Sequence, residues 1–142
     1  LSHNRLKFPP TDLPNVRELD ISFNEIGSLG SLVNLSNLEE LNAEANLIIE
    51  IPDSVSQLRA LTDLNLTDNS IKAISSEISK CRKLKVLKIG GNKLKLIPEK
   101  ALLLESNICV ILGLESNPMS KPMHEMEGFE EYNQRYSEMK RK

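Results

Sequence analysis

Two histidines, two cysteines and a scatter of carboxylates are the side chains that could do chemistry in this chain of 142 residues. A nucleophilic relay needs a Ser or Cys beside a His that is itself oriented by a carboxylate. His3 and His124 stand at opposite ends of the chain, so neither a Ser-His-Asp nor a Cys-His relay is expected. Two Cys and two His at these separations make no zinc site. Asp63 with Asp68 could imitate a catalytic carboxylate pair, but nothing around them suggests an enclosing pocket that would raise a pKa. Gly90-Gly91 lacks the flanking pattern of a phosphate-binding loop. Asn34-Leu-Ser36 and Asn65-Leu-Thr67 match the glycosylation sequon, although a recurring asparagine generates such strings by itself. The expectation is a protein that is not an enzyme and uses neither cofactor nor metal. What remains is binding, and binding depends on the elements that carry the charges.

Those elements are built from aliphatics. Hydrophobic residues make up 39% of the chain and aromatics only 4%, with no Trp. Eighteen Lys and Arg against twenty Asp and Glu leave a net charge of -2, which argues against a nucleic-acid module with its strongly basic face. No apolar run approaches the roughly 18–20 residues of a membrane span. Two cysteines cannot staple a secreted mini-domain, so an intracellular, cytoplasmic protein is expected.

The aliphatics recur with a period. Val16-x-x-Leu19-x-Ile21-x-x-Asn24 repeats as Leu38-x-x-Leu41-x-Ala43-x-x-Asn46 and Leu61-x-x-Leu64-x-Leu66-x-x-Asn69. It continues as Leu84-x-x-Leu87-x-Ile89-x-x-Asn92 and Cys109-x-x-Leu112-x-Leu114-x-x-Asn117, with asparagine steps of 22, 23, 23 and 25 residues. Leu1-x-x-Asn4 reads as the tail of an earlier repeat. Leu-x-Leu is a short period-two strand with inward aliphatics. One repeat cannot bury that face alone, so neighbours must stack. The asparagine amide can both donate to and accept from turn backbone groups that would otherwise be orphaned.

The second half of each repeat supplies an outer wall: Ile48, Ile51, Val55 and Leu58 match Ile71, Ile74, Ile78 and Cys81, then Leu94, Ile97, Ala101 and Leu104. The shorter first repeat carries Ile26, Leu29, Leu32 and Leu35. Pro52 and Pro98 suit an irregular or 3₁₀ segment. A two-residue excess around Leu103 to Asn107 reads as a loop or longer helix. Cys81 and Cys109 both fall on core phases and are expected to be buried thiols.

These residues are the leucine-rich-repeat signature, and residues 1–118 resemble intracellular leucine-rich repeats of the Leu-x-x-Ile-Pro type. That resemblance implies an α/β solenoid: a horseshoe with short parallel strands on the concave face and irregular, 3₁₀ or short helical segments on the convex side. The runs Ile51-Pro-Asp-Ser-Val55, Glu105-Ser106-Asn107-Ile108-Cys109 and Met126-Glu-Gly-Phe-Glu-Glu-Tyr132 resemble more narrowly the C-terminal half of one group of short cytosolic members. The narrower resemblance implies a longer chain with more repeats upstream and an N-terminal lipid. Any such anchor would have to be carried by a segment before Leu1.

Residues 119–142 break the period. Met126, Phe129, Tyr132, Tyr136 and Met139 are spaced for one helical face. Glu125, Glu127, Glu130 and Glu131 precede Arg135, Lys140, Arg141 and Lys142, the order the helix dipole favours. This segment is expected to be a helix, N-capped near Ser120 with Pro122 in its first turn, that caps the last repeat. A partner-binding helix is the other reading.

In such a solenoid the residues between the inward leucines face the concave side. The first three rows carry seven acids and one arginine, and the fourth is basic. Glu18, Glu40 and Asp63 are expected in one column, with Asp20, Asn42 and Asn65 beside them. Glu44 and Asp68 add charge, Lys88 marks the basic row, and Phe23 is the expected central anchor. Val86 and Ile111 should continue the acidic column as an apolar patch. Stacked carboxylates repel, so a protein partner with a basic segment would relieve them. The expected function is therefore a protein-interaction scaffold. A non-catalytic regulatory or targeting subunit of an enzyme, and a structural module pairing through an open N-terminal end, are the alternatives.

Overall fold

A computed structural model describes residues 1–102 and 107–142. Five three-residue strands mark the repeats: β1 Glu18–Asp20, β2 Glu40–Asn42, β4 Asp63–Asn65, β6 Val86–Lys88 and β7 Val110–Leu112. They form one parallel sheet in the order β1-β2-β4-β6-β7. β3 Glu50–Ile51 and β5 Ala73–Ile74 pair in a second, two-stranded sheet. That pair closes with a bond from the Ser75 N–H to the Ile51 carbonyl. Pro52 and Pro98, at the same phase of the neighbouring repeats, have no N–H to extend it.

The inward leucines and isoleucines form one core running the length of the stack. Convex 3₁₀ turns at Gly30–Asn34, Asp53–Gln57, Ser76–Lys80 and Glu99–Ala101 close it from the outside. They contribute Leu32, Val55, Ile78 and Ala101 to the core. The outer-wall aliphatics expected for these repeats are buried; Leu104 lies outside the described residues.

The recurring asparagines hold the stack together. Asn69 Nδ2 donates to its own strand-end carbonyl, Leu66 O at 3.1 Å, and to that of the preceding repeat, Ala43 O at 3.0 Å. Its Oδ1 accepts from Ile48 N at 3.0 Å. Asn46, Asn92 and Asn117 bridge in the same way to Ile21 O, Leu66 O and Ile89 O. Asn24 reaches back to Leu1 O and accepts from Leu6 N, which puts Leu1–Asn4 in phase as the tail of a repeat. The residue before each asparagine from Asn4 to Asn92 takes a left-handed conformation: His3, Phe23, Ala45, Asp68 and Gly91, at φ between 53° and 63°.

The last row departs from the expected register. β7 pairs with β6 through Val86↔Val110, Leu87↔Ile111 and Lys88↔Leu112. Ile108 and Ile111, not Cys109 and Leu112, point inward. Leu112 is 47% exposed and Cys109 is half-buried, which corrects its reading as a core thiol. The two-residue excess is split: Ile111 follows Leu87 by 24 residues, and the remaining extra residue sits between β7 and Asn117. Gly113 absorbs it at φ 80°, with its backbone against Gly90, where a side chain on Gly113 would come within 2.4 Å of the Gly90 Cα.

Helix α1, Phe129–Lys140, covers the open edge of β7. The Tyr132 hydroxyl accepts from Ile111 N at 3.0 Å, and Arg135 donates to the carbonyls of Leu102 and Ile108. Met126 and Tyr132 are buried, Phe129 and Tyr136 half-buried, and Met139 lies on the exposed side. The helix starts later than expected. Pro122 precedes a 3₁₀ turn at Met123–Glu125, Ser120 N bonds to Lys95 O, and Gly128 at φ 85° redirects the chain into α1. Only glycine enters that left-handed region without strain.

Candidate functional site

The parallel register aligns the concave side chains in columns, with about 4.8 Å from one strand to the next within each column. Glu18, Glu40, Asp63, Val86 and Val110 form one; Asp20, Asn42, Asn65, Lys88 and Leu112 form the next. Val110, not Ile111, therefore continues the acidic column as an apolar residue. Polarity is graded along the face, from carboxylates at β1 and β2 to Val86, Val110 and Leu112 at β6 and β7. Leu112 belongs to this surface and was missed because its phase was assigned to the core.

The second column is partly occupied by its own turns. Asp20 Oδ1 accepts from Ser22 N at 2.9 Å and from Ser22 Oγ at 2.6 Å. The Ser22 hydroxyl, then the Ser22 N–H, hold the Asp20 carboxyl below its ordinary value. Asn42 Oδ1 accepts from Glu44 N, and Asn65 Oδ1 from Thr67 N, at the same phase. Asn65 Nδ2 then donates sideways to Asn42 Oδ1 at 3.0 Å and Glu44 Oε2 at 3.2 Å. Asn42, Glu44 and Asn65 are thus knitted into one polar ladder.

The first column carries no cation. Asp63 Oδ2 accepts from Thr62 Oγ1. Among the described residues, the ion pair on this face joins Arg17 to Glu39 at 3.5 Å. Glu18 and Glu40 are exposed and Asp63 is half-buried. Phe23 is not central. It lies in the turn after β1, at the rim, stacked on His3 with ring centroids 4.5 Å apart and 46% exposed. Asp68 occupies the equivalent turn position two repeats on, against Gly91. Lys88 is exposed on β6.

Burial pushes the Cys81 thiol up to about 11, and its Sγ donates to Val55 O. Cys109 Sγ donates to Asn107 O at 3.3 Å. Among the described residues no group of three His, Cys, Asp or Glu is placed to hold a metal ion. No described helix is long and apolar enough to cross a membrane.

The sheet, the asparagine bridges and the open inner face define a parallel-strand repeat solenoid of the kind that binds other proteins. Two family profiles described as leucine-rich repeat match residues 36–94 and 12–30, together more than half of the chain. The chain is a leucine-rich-repeat protein. A leucine-rich-repeat protein of Leptospira interrogans is similar at 28% identity and a TM-score of 0.73, over 84% of this chain and 31% of that one. An internalin of Listeria monocytogenes shares the fold at 23% identity and a TM-score of 0.66, over 77% of this chain and 31% of that one. The chain thus spans about a third of the length of these two structures. No curated protein matches its sequence.

Proposed function

We propose that this chain is a non-catalytic interaction scaffold whose concave face receives a basic segment of a protein partner. Leucine-rich-repeat domains are protein-interaction modules, which supports the general role. The carboxylate column Glu18, Glu40 and Asp63, stacked across three strands without a cation, carries the finer reading. Like charges one strand apart are unfavourable, and a Lys- or Arg-bearing segment laid across them removes the repulsion. Asp20 and Asp68 extend the field. The ladder of Asn42, Glu44 and Asn65 fixes its neighbours in place, with Lys88 marking where the field ends. The aliphatic end at Val86, Val110 and Leu112 favours a segment whose basic stretch is followed by an apolar side chain. Phe23 serves as a rim contact.

The test is fluorescence anisotropy with a labelled peptide of Lys and Arg ending in Leu. The wild type is expected to bind it more weakly as salt rises, because screening shortens the reach of exposed charges to about 8–10 Å near physiological ionic strength. The combined variant Glu18→Lys, Glu40→Lys, Asp63→Lys should lose at least about 2 kcal/mol of binding, a factor of roughly thirty. Equal affinity of the variant would refute the reading.

Two further parts of the proposal concern context. Free thiols at Cys81 and Cys109 suit a reducing, cytoplasmic compartment. On the runs quoted above, residues from about 51 onward resemble leucine-rich repeat-containing protein 57, and we propose kinship with that group.

A further inference from the structure

A second surface, on the flank between the large sheet and the convex turns, has the opposite character. The position after each turn asparagine runs Glu25, Leu47, Ser70, Lys93, and the third position runs Gly27, Ile49, Lys72, Lys95. Bonds from Leu47 N to Ile26 O, Ser70 N to Ile48 O and Lys93 N to Ile71 O hold these rows in register. The flank therefore turns basic toward the C-terminal end of the array.

There Lys72, Lys93 and Lys95 border a depression of about 600 Å³ whose apolar lining includes Ala73, Leu96 and Pro118. Leu96 is 61% exposed and also lines a neighbouring depression of about 400 Å³ together with Lys121. All four lysines are exposed. Among the described residues none of them is in an ion pair, and Glu50, beside Ala73 on β3, is in none either. The cations ask for carboxylates, and the aliphatic floor asks for an apolar side chain between them.

We propose that this flank binds an extended protein segment in which a Leu, Ile or Val is flanked, two residues away on each side, by Asp or Glu. An extended segment puts every second side chain on the same face, so a Glu-x-Leu-x-Glu pattern can bring carboxylates to Lys72 and Lys95 while its central aliphatic side chain meets Leu96. The depression of about 600 Å³ beside Leu96 suits a side chain of a protein segment, whereas a flat anionic bilayer would leave it unfilled. A free phosphate ion would leave the aliphatic lining unused. The surface is separate from the concave carboxylates and calls for a partner region of opposite charge.

The experiment is anisotropy with a short fluorescein-labelled Glu-Ser-Leu-Ser-Glu peptide, alongside an all-Glu peptide, inorganic phosphate and phosphatidylserine vesicles. The Glu-Ser-Leu-Ser-Glu peptide should bind the wild-type chain with a dissociation constant below about 1 mM and beat the all-Glu peptide. The combined variant Lys72→Glu, Lys93→Glu, Lys95→Glu should weaken it at least about tenfold, and Leu96→Ser about threefold, with melting temperatures unchanged. Should the triple variant melt early, amide shifts of the wild type decide: they must centre on Lys72, Lys95 and Leu96. The concave variant Glu18→Lys, Glu40→Lys, Asp63→Lys should retain this binding, so the two surfaces stand or fall apart. No saturable binding, equal binding by the triple variant, shifts centred elsewhere, or stronger retention on vesicles or by phosphate than by the peptide would overturn the assignment.

Discussion

Replacing Asn69 with alanine isolates what the recurring amide does. In the folded chain its carboxamide serves Ile48 N, Ala43 O and Leu66 O, all buried with it. Thr67 O is a fourth and more exposed partner. Alanine leaves the Ile48 N–H without a partner in a dry turn, at about 1–3 kcal/mol, whereas the Ala43 carbonyl keeps its bond from Asn46 Nδ2 at 3.2 Å. Leu66 O is shared with Asn92 Nδ2 at 2.9 Å and keeps that bond. The expected loss is therefore about 1–3 kcal/mol, a sizeable part of the stability of an ordinary domain. Urea unfolding followed by circular dichroism measures it. Asn69→Leu restores the side-chain volume without the hydrogen bonds and should remain destabilised by a similar amount. Asn4→Ala, whose amide is exposed and bonds only Leu1 O and Ser2 O, should cost under about 0.5 kcal/mol. If Asn69→Ala cost no more than Asn4→Ala, or if Asn69→Leu recovered full stability, the bridging role would be refuted and the position would be mere packing.

Three other outcomes follow from the geometry. Ala45 sits at φ 53°, so Ala45→Gly should stabilise the chain by about 1 kcal/mol, whereas Gly91→Ala, whose new Cβ would fall 2.1 Å from Asp68 Oδ1, should destabilise it in the same urea assay. Tyr132→Phe removes the acceptor from the Ile111 N–H and should cost about 1–3 kcal/mol, with faster amide exchange along β7. The Asp20 carboxyl lies below its ordinary value of 3.8 because of Ser22, so its contribution is complete above that value and is lost as pH falls through the lower folded one. Stability of Asp20→Asn should therefore fall less steeply than wild type over that acidic window.

The rows beginning at Val16, Leu38, Leu61 and Leu84 were legible because inward aliphatics at fixed steps before a fixed asparagine leave one way to stack. The fifth row was not. Ile108 with Ile111 and Cys109 with Leu112 are both apolar pairs at the right spacing, one residue out of phase. What decides between them is tertiary: a left-handed Gly113 absorbs an extra residue against Gly90. Column membership of Glu18, Glu40 and Asp63 followed directly from the period. The lateral bonds among Asn42, Glu44 and Asn65 did not, since they depend on rotamers that the repeat pattern does not specify. The aromatic spacing announced α1, but its start at Phe129 depends on Gly128. Tyr132 read as an apolar face residue, although its hydroxyl does the terminal capping. The lysine flank escaped notice because attention to the strands passes over the positions just after each asparagine.

The central claim is that the inner face, not the turns behind it, meets the basic partner segment. Amide chemical shifts of the isotopically labelled chain during titration with the Lys- and Arg-rich peptide test it most directly. The account predicts shifts concentrated on β1, β2 and β4 around Glu18, Glu40 and Asp63, with the convex turns at Asp53–Gln57 and Ser76–Lys80 unmoved. Shifts centred on those turns, or spread evenly over the surface, would contradict it.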